Sequence, residues 1–185
     1  MVAATLRLDY KFVGFNNFIN MFKSPLVLRV LIRTILWLVC TVTLQVIFAL
    51  FFSSFFTSRY LTGQNIYRGF LLLPWAVPNV VMILVWRGMF NPTFGAINFI
   101  IGKAIPWYSS PKFAFLMIQI VNIWLAYPFL TILLVGAIQS IPQELSELAR
   151  IEGCNPIQEL FFINLPIIKP VLTYGIILTS ATAFM

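Results

Sequence analysis

Residues 141–170 read IPQELSELARIEGCNPIQELFFINLPIIKP, and the reading of this stretch decides the rest. It holds Glu144, Glu147, Glu152 and Glu159, all the glutamates of the chain; the one other acid is Asp9. The 185 residues are 61% hydrophobic and 9% charged, with a mean hydropathy of +0.95. No soluble domain of this size has interior enough for that apolar content, so the chain is expected to be integral to a membrane. An acidic island in such a chain must face water. Local chemistry predicts two short helices around a turn. Ser140 and Gln143 read as a capping box, with Pro142 in the first turn. Gly153 is the expected left-handed stop. Asn155, Pro156 and Gln158 repeat the start signal, and Pro166 is expected to end the second helix. On the residues alone, this is either a solvated hairpin between two spans or an element that docks a partner.

Outward from the island, charge-free or apolar runs predict membrane spans at 34–56, 69–87, 113–139 and 170–185. At about 1.5 Å per residue the first and third cross a roughly 30 Å hydrocarbon layer. Pro74 and Pro78 lie four apart in the second, which predicts a kinked or broken helix. The run 96–105 is too short to cross and is expected at the interface. Residues 1–24 are polar and mixed. The basic residues lie in termini and loops, where headgroups accept them, and no nucleic-acid motif accompanies the net charge of +7. Cys40 and Cys154 suggest neither a disulfide nor a metal site, and the chain has no histidine.

Inside the third span, Gln119, Asn122, Leu125, Ala126 and Phe129 share a helical face. Amides at that depth are costly unless partnered. They either glue helices or, with the aromatic ring, face a sugar. Gln45 is the one amide of the first span, and helix packing is its expected use.

The spacing Glu147-Leu148-Ala149, three residues, Gly153, nine residues, Ile163, one residue, Leu165-Pro166 resembles the EAA loop of ABC importer permeases. Leu148 stands where the family usually has Ala, and Glu152 where it has Asp. Further segments resemble the carbohydrate-uptake branch, closest to the larger, sugar-contacting maltose/maltodextrin permeases: Leu72 to Pro78, Met89 to Asn91 with Phe94 to Asn98, Pro106 to Pro111, and Ile120 to Pro128. The N-terminal segment Phe12 to Phe18 also resembles a segment of that family.

The resemblance implies an all-α, polytopic transmembrane helical bundle, a single permease domain over 1–185 with three full spans and a partial fourth. The chain reads as truncated at both ends. The loop 141–166 would be the cytoplasmic coupling element, with Glu147, Leu148, Ala149, Glu152, Gly153, Ile163, Leu165 and Pro166 in contact with the ATPase. Asn122, Leu125, Ala126 and Phe129, with Thr179 and Thr182 of the following span, would bind substrate. Gly and Tyr are usual at Ala126 and Phe129 in the maltose members, so the accepted sugar could differ.

The implied partners are a second permease subunit, two ATP-binding subunits at the cytoplasmic face, an extracytoplasmic solute-binding protein, the sugar and membrane lipid. The implied location is the prokaryotic plasma (inner) membrane. No catalytic residue, cofactor or metal is expected, and the chain carries no phosphate-binding Gly-Lys-Ser/Thr loop. The alternatives are an importer of another oligosaccharide or glycerol-3-phosphate, an ion-driven secondary carrier, an intramembrane enzyme, and a scaffold whose amides only pack helices. Charge bias opposes the implied orientation. Arg59, Arg68, Arg150 and Lys169 would lie inside and the other eight of twelve basic residues outside. The loop spacing is the more specific signal, and we follow it.

Overall fold

A computed structural model describes residues 14–58 and 61–183 of the chain. Arg7, Lys11 and Arg59, read above as headgroup anchors, and Phe12 and Val13 of the N-terminal resemblance lie outside the described residues. Two units are present, Met1–Trp37 and Leu38–Met185. In the first, α1 (Asn16–Lys23) ends at Ser24, and Pro25 opens α2 (Pro25–Thr57), where its missing N–H has no helical partner to lose. α1 exposes Phe18 and Phe22, and Phe15 just before it is exposed too.

The second unit continues with α3 (Gln64–Ala76), α4 (Asn79–Met89), α5 (Ala96–Ile101), α6 (Pro111–Gln139), α7 (Gln143–Ile151), α8 (Pro156–Glu159), a π-helical turn (Leu160–Asn164) and α9 (Leu165–Thr182). The described residues form helices, turns and loops, with no strand. Three helical stretches are long and apolar enough to cross a membrane: Pro25–Thr57, Pro111–Gln139 and Pro156–Thr182. α3 and α4 reach that length and apolarity only as a pair, bent by 90° at their junction. The break falls at Val77 and Pro78; Val77 is extended because Pro78 forces its predecessor out of the helical region.

The inner surface is more polar than the outer. Thr41, Gln45, Ala49 and Ser53 recur every fourth residue on the buried stripe of α2, while Ile35, Val39, Ile47 and Phe51 face outward. In lipid, apolar surface gives helices no reason to associate, so small residues and hydrogen bonds must do it. Ala49 packs with Leu130, Leu134 and Ile168 at the centre. Gly175 of α9 meets Leu130 and Leu133 of α6 so closely that a Cβ there would stand 2.5 Å from Leu130 Cδ1. A second cluster joins Phe56, Leu71 and Val135. Below it, Arg68 Nη2 donates to the Phe56 carbonyl at 2.9 Å and to Gln64 Oε1 at 3.0 Å. The Gln139 amide, turned to face its oxygen to Arg68, accepts at 2.8 Å. One cation thus serves the C-terminal ends of α2 and α6, where the helix dipoles favour positive charge.

Two local expectations fail. Ser140 is not a capping-box residue; its Oγ donates back to the Ala137 carbonyl at 2.8 Å, closing α6, and α7 begins at Gln143 without it. Nor does the second helix of the island end before Pro166. The chain passes through the π turn, in which the Leu165 N–H reaches the Leu160 carbonyl, and continues as α9. That register places Pro166 in a first turn, where a missing N–H breaks nothing, and carries the helix past Pro170. The apolar run 96–105 is helical only over Ala96–Ile101. The loop around it hangs on Asn98. That side chain donates to the carbonyls of Pro92 and Ile105 and accepts from the Ile105 N–H and, at 2.7 Å, from Trp107 Nε1. Trp107 packs edge-on against Phe90 with centroids 4.8 Å apart.

Candidate functional site

A cavity of about 640 Å³ lies where α2, α3, α4, α6 and α9 converge. Each element reaches it for a local reason. The break at Val77 and Pro78 separates α3 from α4, and Trp75 and Asn79 lie at the two ends so exposed. α6 runs unbroken through Pro128, and its face Asn122, Leu125, Ala126 and Phe129 lines one wall. The close contact at Gly175 brings α9 near enough for Thr179, Thr182 and Ala183 to form another. Thus Asn122, Leu125, Ala126, Phe129, Thr179 and Thr182 all line one space.

Among the described residues, the lining is neutral. Asn79 and Asn122 supply amides, Thr179 and Thr182 supply hydroxyls, and Gln45 borders the space with its amide bonded to Asn122. Thr182 Oγ1 donates to the Thr179 carbonyl at 3.0 Å, which leaves its oxygen free to accept. Trp75 and Phe129 stack, with centroids 6.2 Å apart and planes inclined by 28°. A flat aromatic surface beside several amides suits a molecule with apolar faces and a rim of hydroxyls. No group of three potential metal ligands occurs among the described residues.

Gln119, placed on the same face by periodicity, is not in this lining. It is buried and accepts from Thr41 Oγ1 at 2.9 Å, so it holds α6 to α2. One turn on, Gln45 Nε2 donates to Asn122 Oδ1 at 2.9 Å. Sequence reasoning missed Trp75, Asn79, Ile83 and Leu178 as lining and read Gln45 as packing only. The proline pair flanking Trp75 and Asn79 was the available signal, since broken helices are tolerated where they line a cavity.

At the other end of α9, the acidic island forms a compact double turn. Gly153 has φ +83°, and the Cys154 N–H reaches back to the Ala149 carbonyl at 2.9 Å, a Schellman closure of α7. Asn155 and Gln158 form a reciprocal capping box, both bonds 2.8 Å. Ala149 is buried, while Leu148, Ile151, Ile157, Phe161 and Phe162 are exposed, Ile151 to 81%. Glu147 is exposed and accepts from Gln143 Nε2 at 3.2 Å. Glu152, Gly153 and Pro166 are also exposed, and Ile163 and Leu165 are half-buried. An exposed apolar patch rimmed by carboxylates on a rigid turn has the form of a protein-docking surface.

Residues 45–185 match the model of the binding-protein-dependent transport system inner membrane component family. The chain is 36% identical over 167 residues to the maltose/maltodextrin transport system permease protein MalF of Klebsiella aerogenes. It is 36% identical over 166 residues to that of Escherichia coli strain K12. Each match covers 85% of this chain and 32% of the relative, so the chain spans about a third of the length of these relatives. Among solved structures, a bacterial ABC transporter involved in the import of the acidic polysaccharide alginate matches with a TM-score of 0.82 at 20% identity. That match covers 92% of this chain and 62% of the other. The alginate transporter in complex with an alginate pentasaccharide-bound periplasmic protein matches with a TM-score of 0.74 at 22% identity, over 90% and 60% of the two chains. At these identities the structural matches show a shared fold.

Proposed function

Because the chain belongs to the family of binding-protein-dependent transport system inner membrane components, we propose that it is the membrane-spanning part of an ATP-driven importer of a neutral sugar, of the maltose/maltodextrin class. The observation that carries this reading is the neutral cavity of about 640 Å³, walled by amides and by the Trp75–Phe129 stack. Sugar hydroxyls satisfy the amides, and a pyranose face covers the rings. An anionic sugar favours a cation within reach, and none stands among the described residues of the lining. That separates this reading from uptake of an acidic polysaccharide, the activity of the structural neighbours.

The chain contributes no chemistry to ATP hydrolysis. It couples. α8, the π turn and α9 form one helical run, Pro156–Thr182. Phe161 stands at the exposed end and Thr179 at the cavity, eighteen residues or about 27 Å apart along the axis. Closure of two ATP-binding subunits on the island moves this run as a lever and changes which side of the membrane the cavity opens to. A second permease subunit completes the pathway, and an extracytoplasmic binding protein delivers the sugar.

The test is ATPase activity and sugar uptake of the assembled transporter in proteoliposomes, with its binding protein. Maltose, maltotriose, trehalose and an alginate oligosaccharide are offered in turn. Stimulation by a neutral sugar, only with binding protein present, is expected. Stimulation by the alginate oligosaccharide alone, or by none of these, overturns the sugar assignment.

A further inference from the structure

Gln45 is 2% exposed on the buried stripe of α2. Its Nε2 donates to Asn122 Oδ1 at 2.9 Å, and its Oε1 has no donor among the described residues and no access to solvent. A buried carbonyl without a donor is destabilising, and a methionine would fill the same space without that cost. Helix packing therefore does not explain this amide. The neighbouring rung shows what packing needs: Thr41 and Gln119 are both buried, bond each other, and stay out of the cavity lining.

The effect of Gln45 on Asn122 does explain it. A primary amide can turn over, offering a cavity either its carbonyl or its NH2 group. Asn122 lines the cavity, its Oδ1 is held by Gln45, and its Nδ2 has no hydrogen bond among the described residues. We infer that Gln45 is a positioning residue that locks the Asn122 amide so that it offers N–H donors to the cavity, selecting a ligand that brings an acceptor oxygen to that point. This rests on the sugar reading above, in which the acceptor is one hydroxyl oxygen of the sugar.

The experiment uses the assembled transporter with its binding protein, and maltose, maltotriose, trehalose and the monodeoxy maltoses as probes. The wild type is expected to disfavour one monodeoxy maltose. Gln45→Met is expected to raise KM for maltose roughly threefold to tenfold, the range of one lost hydrogen bond, with the maximal rate retained. It is also expected to flatten the discrimination against that one deoxy sugar. In an Asn122→Ala background, Gln45→Met should change KM no further. Gln45→Leu is measured in parallel, so that the outcome does not hang on the assembly of one variant. A loss equal for every sugar, with the deoxy discrimination intact, shows a packing role and overturns the inference. So does a second full loss in the Asn122→Ala background. A wild type that moves none of these sugars overturns the sugar reading itself, and this inference with it.

Discussion

Gly175 and Leu130 are in mutual contact across α9 and α6, so tightly that a methyl group on Gly175 would stand 2.5 Å from Leu130 Cδ1. Leu130 is 1% exposed and belongs to the central cluster with Ala49, Leu134 and Ile168. The same contact sets how near Thr179, one turn further along α9, comes to Asn122 and Phe129.

Gly175→Leu should therefore separate α9 from α6. Overpacking of this kind costs about 1–3 kcal/mol. A lowered thermal midpoint and loss of uptake are expected for Gly175→Leu, while Gly175→Ala should be milder, because the end of the Leu130 side chain can turn aside. A Gly175→Leu transporter with unchanged melting and uptake would show that the two helices do not depend on this contact.

Gly153→Asp places a side chain at φ +83°, a conformation that costs an L-residue roughly 1–2 kcal/mol. The Schellman closure of α7 then loosens, and the exposed face made by Leu148, Ile151 and Ile157 loses its fixed shape. The expected result is normal membrane insertion with uptake and sugar-stimulated ATP hydrolysis uncoupled. Sugar uptake at the wild-type rate would remove the island from the coupling path.

Trp75→Ala removes half of the stacked aromatic pair on the cavity wall. A stacking aromatic supplies about 0.5–1.5 kcal/mol beyond its buried area, so KM for sugar should rise at least severalfold. Asn122→Ala should raise KM for sugar roughly tenfold, with measurable transport, in a complex that still assembles. Uptake by Asn122→Ala at the wild-type KM would mean that the amide only joins helices.

Asn98→Ala leaves the Ile105 N–H and Trp107 Nε1 without their acceptor. Trp107 is buried, so its orphaned donor costs about 1–3 kcal/mol. Faster proteolysis within residues 90–110 is expected, with the helices on either side intact. Wild-type protease resistance would show that the aromatic contacts of Trp107 hold the loop without Asn98.

Much of the island was legible because its signals are local. Gly153 turns left-handed, and Asn155 with Gln158 closes a capping box, for reasons contained within four or five residues. Ser140 misled because two helices compete for one hydroxyl, and the end of α6 takes it. Pro166 misled because a proline ends a helix only where an N–H was needed, and the π turn shifts the register so that none is. Periodicity put Gln119 and Asn122 on one face of α6, but only the neighbouring helices separate them. Thr41 meets Gln119 in the packed seam, whereas Asn122 borders empty space.

Membrane class, helical runs, the proline break and the acidic turn follow from the residues alone, since apolar length, missing N–H groups and left-handed glycine act within one segment. Tertiary structure alone decided that six residues from two distant spans share a cavity with Trp75 and Asn79. It alone decided that Gln45 holds the Asn122 amide, because bonds between residues 77 positions apart depend on how two helices meet.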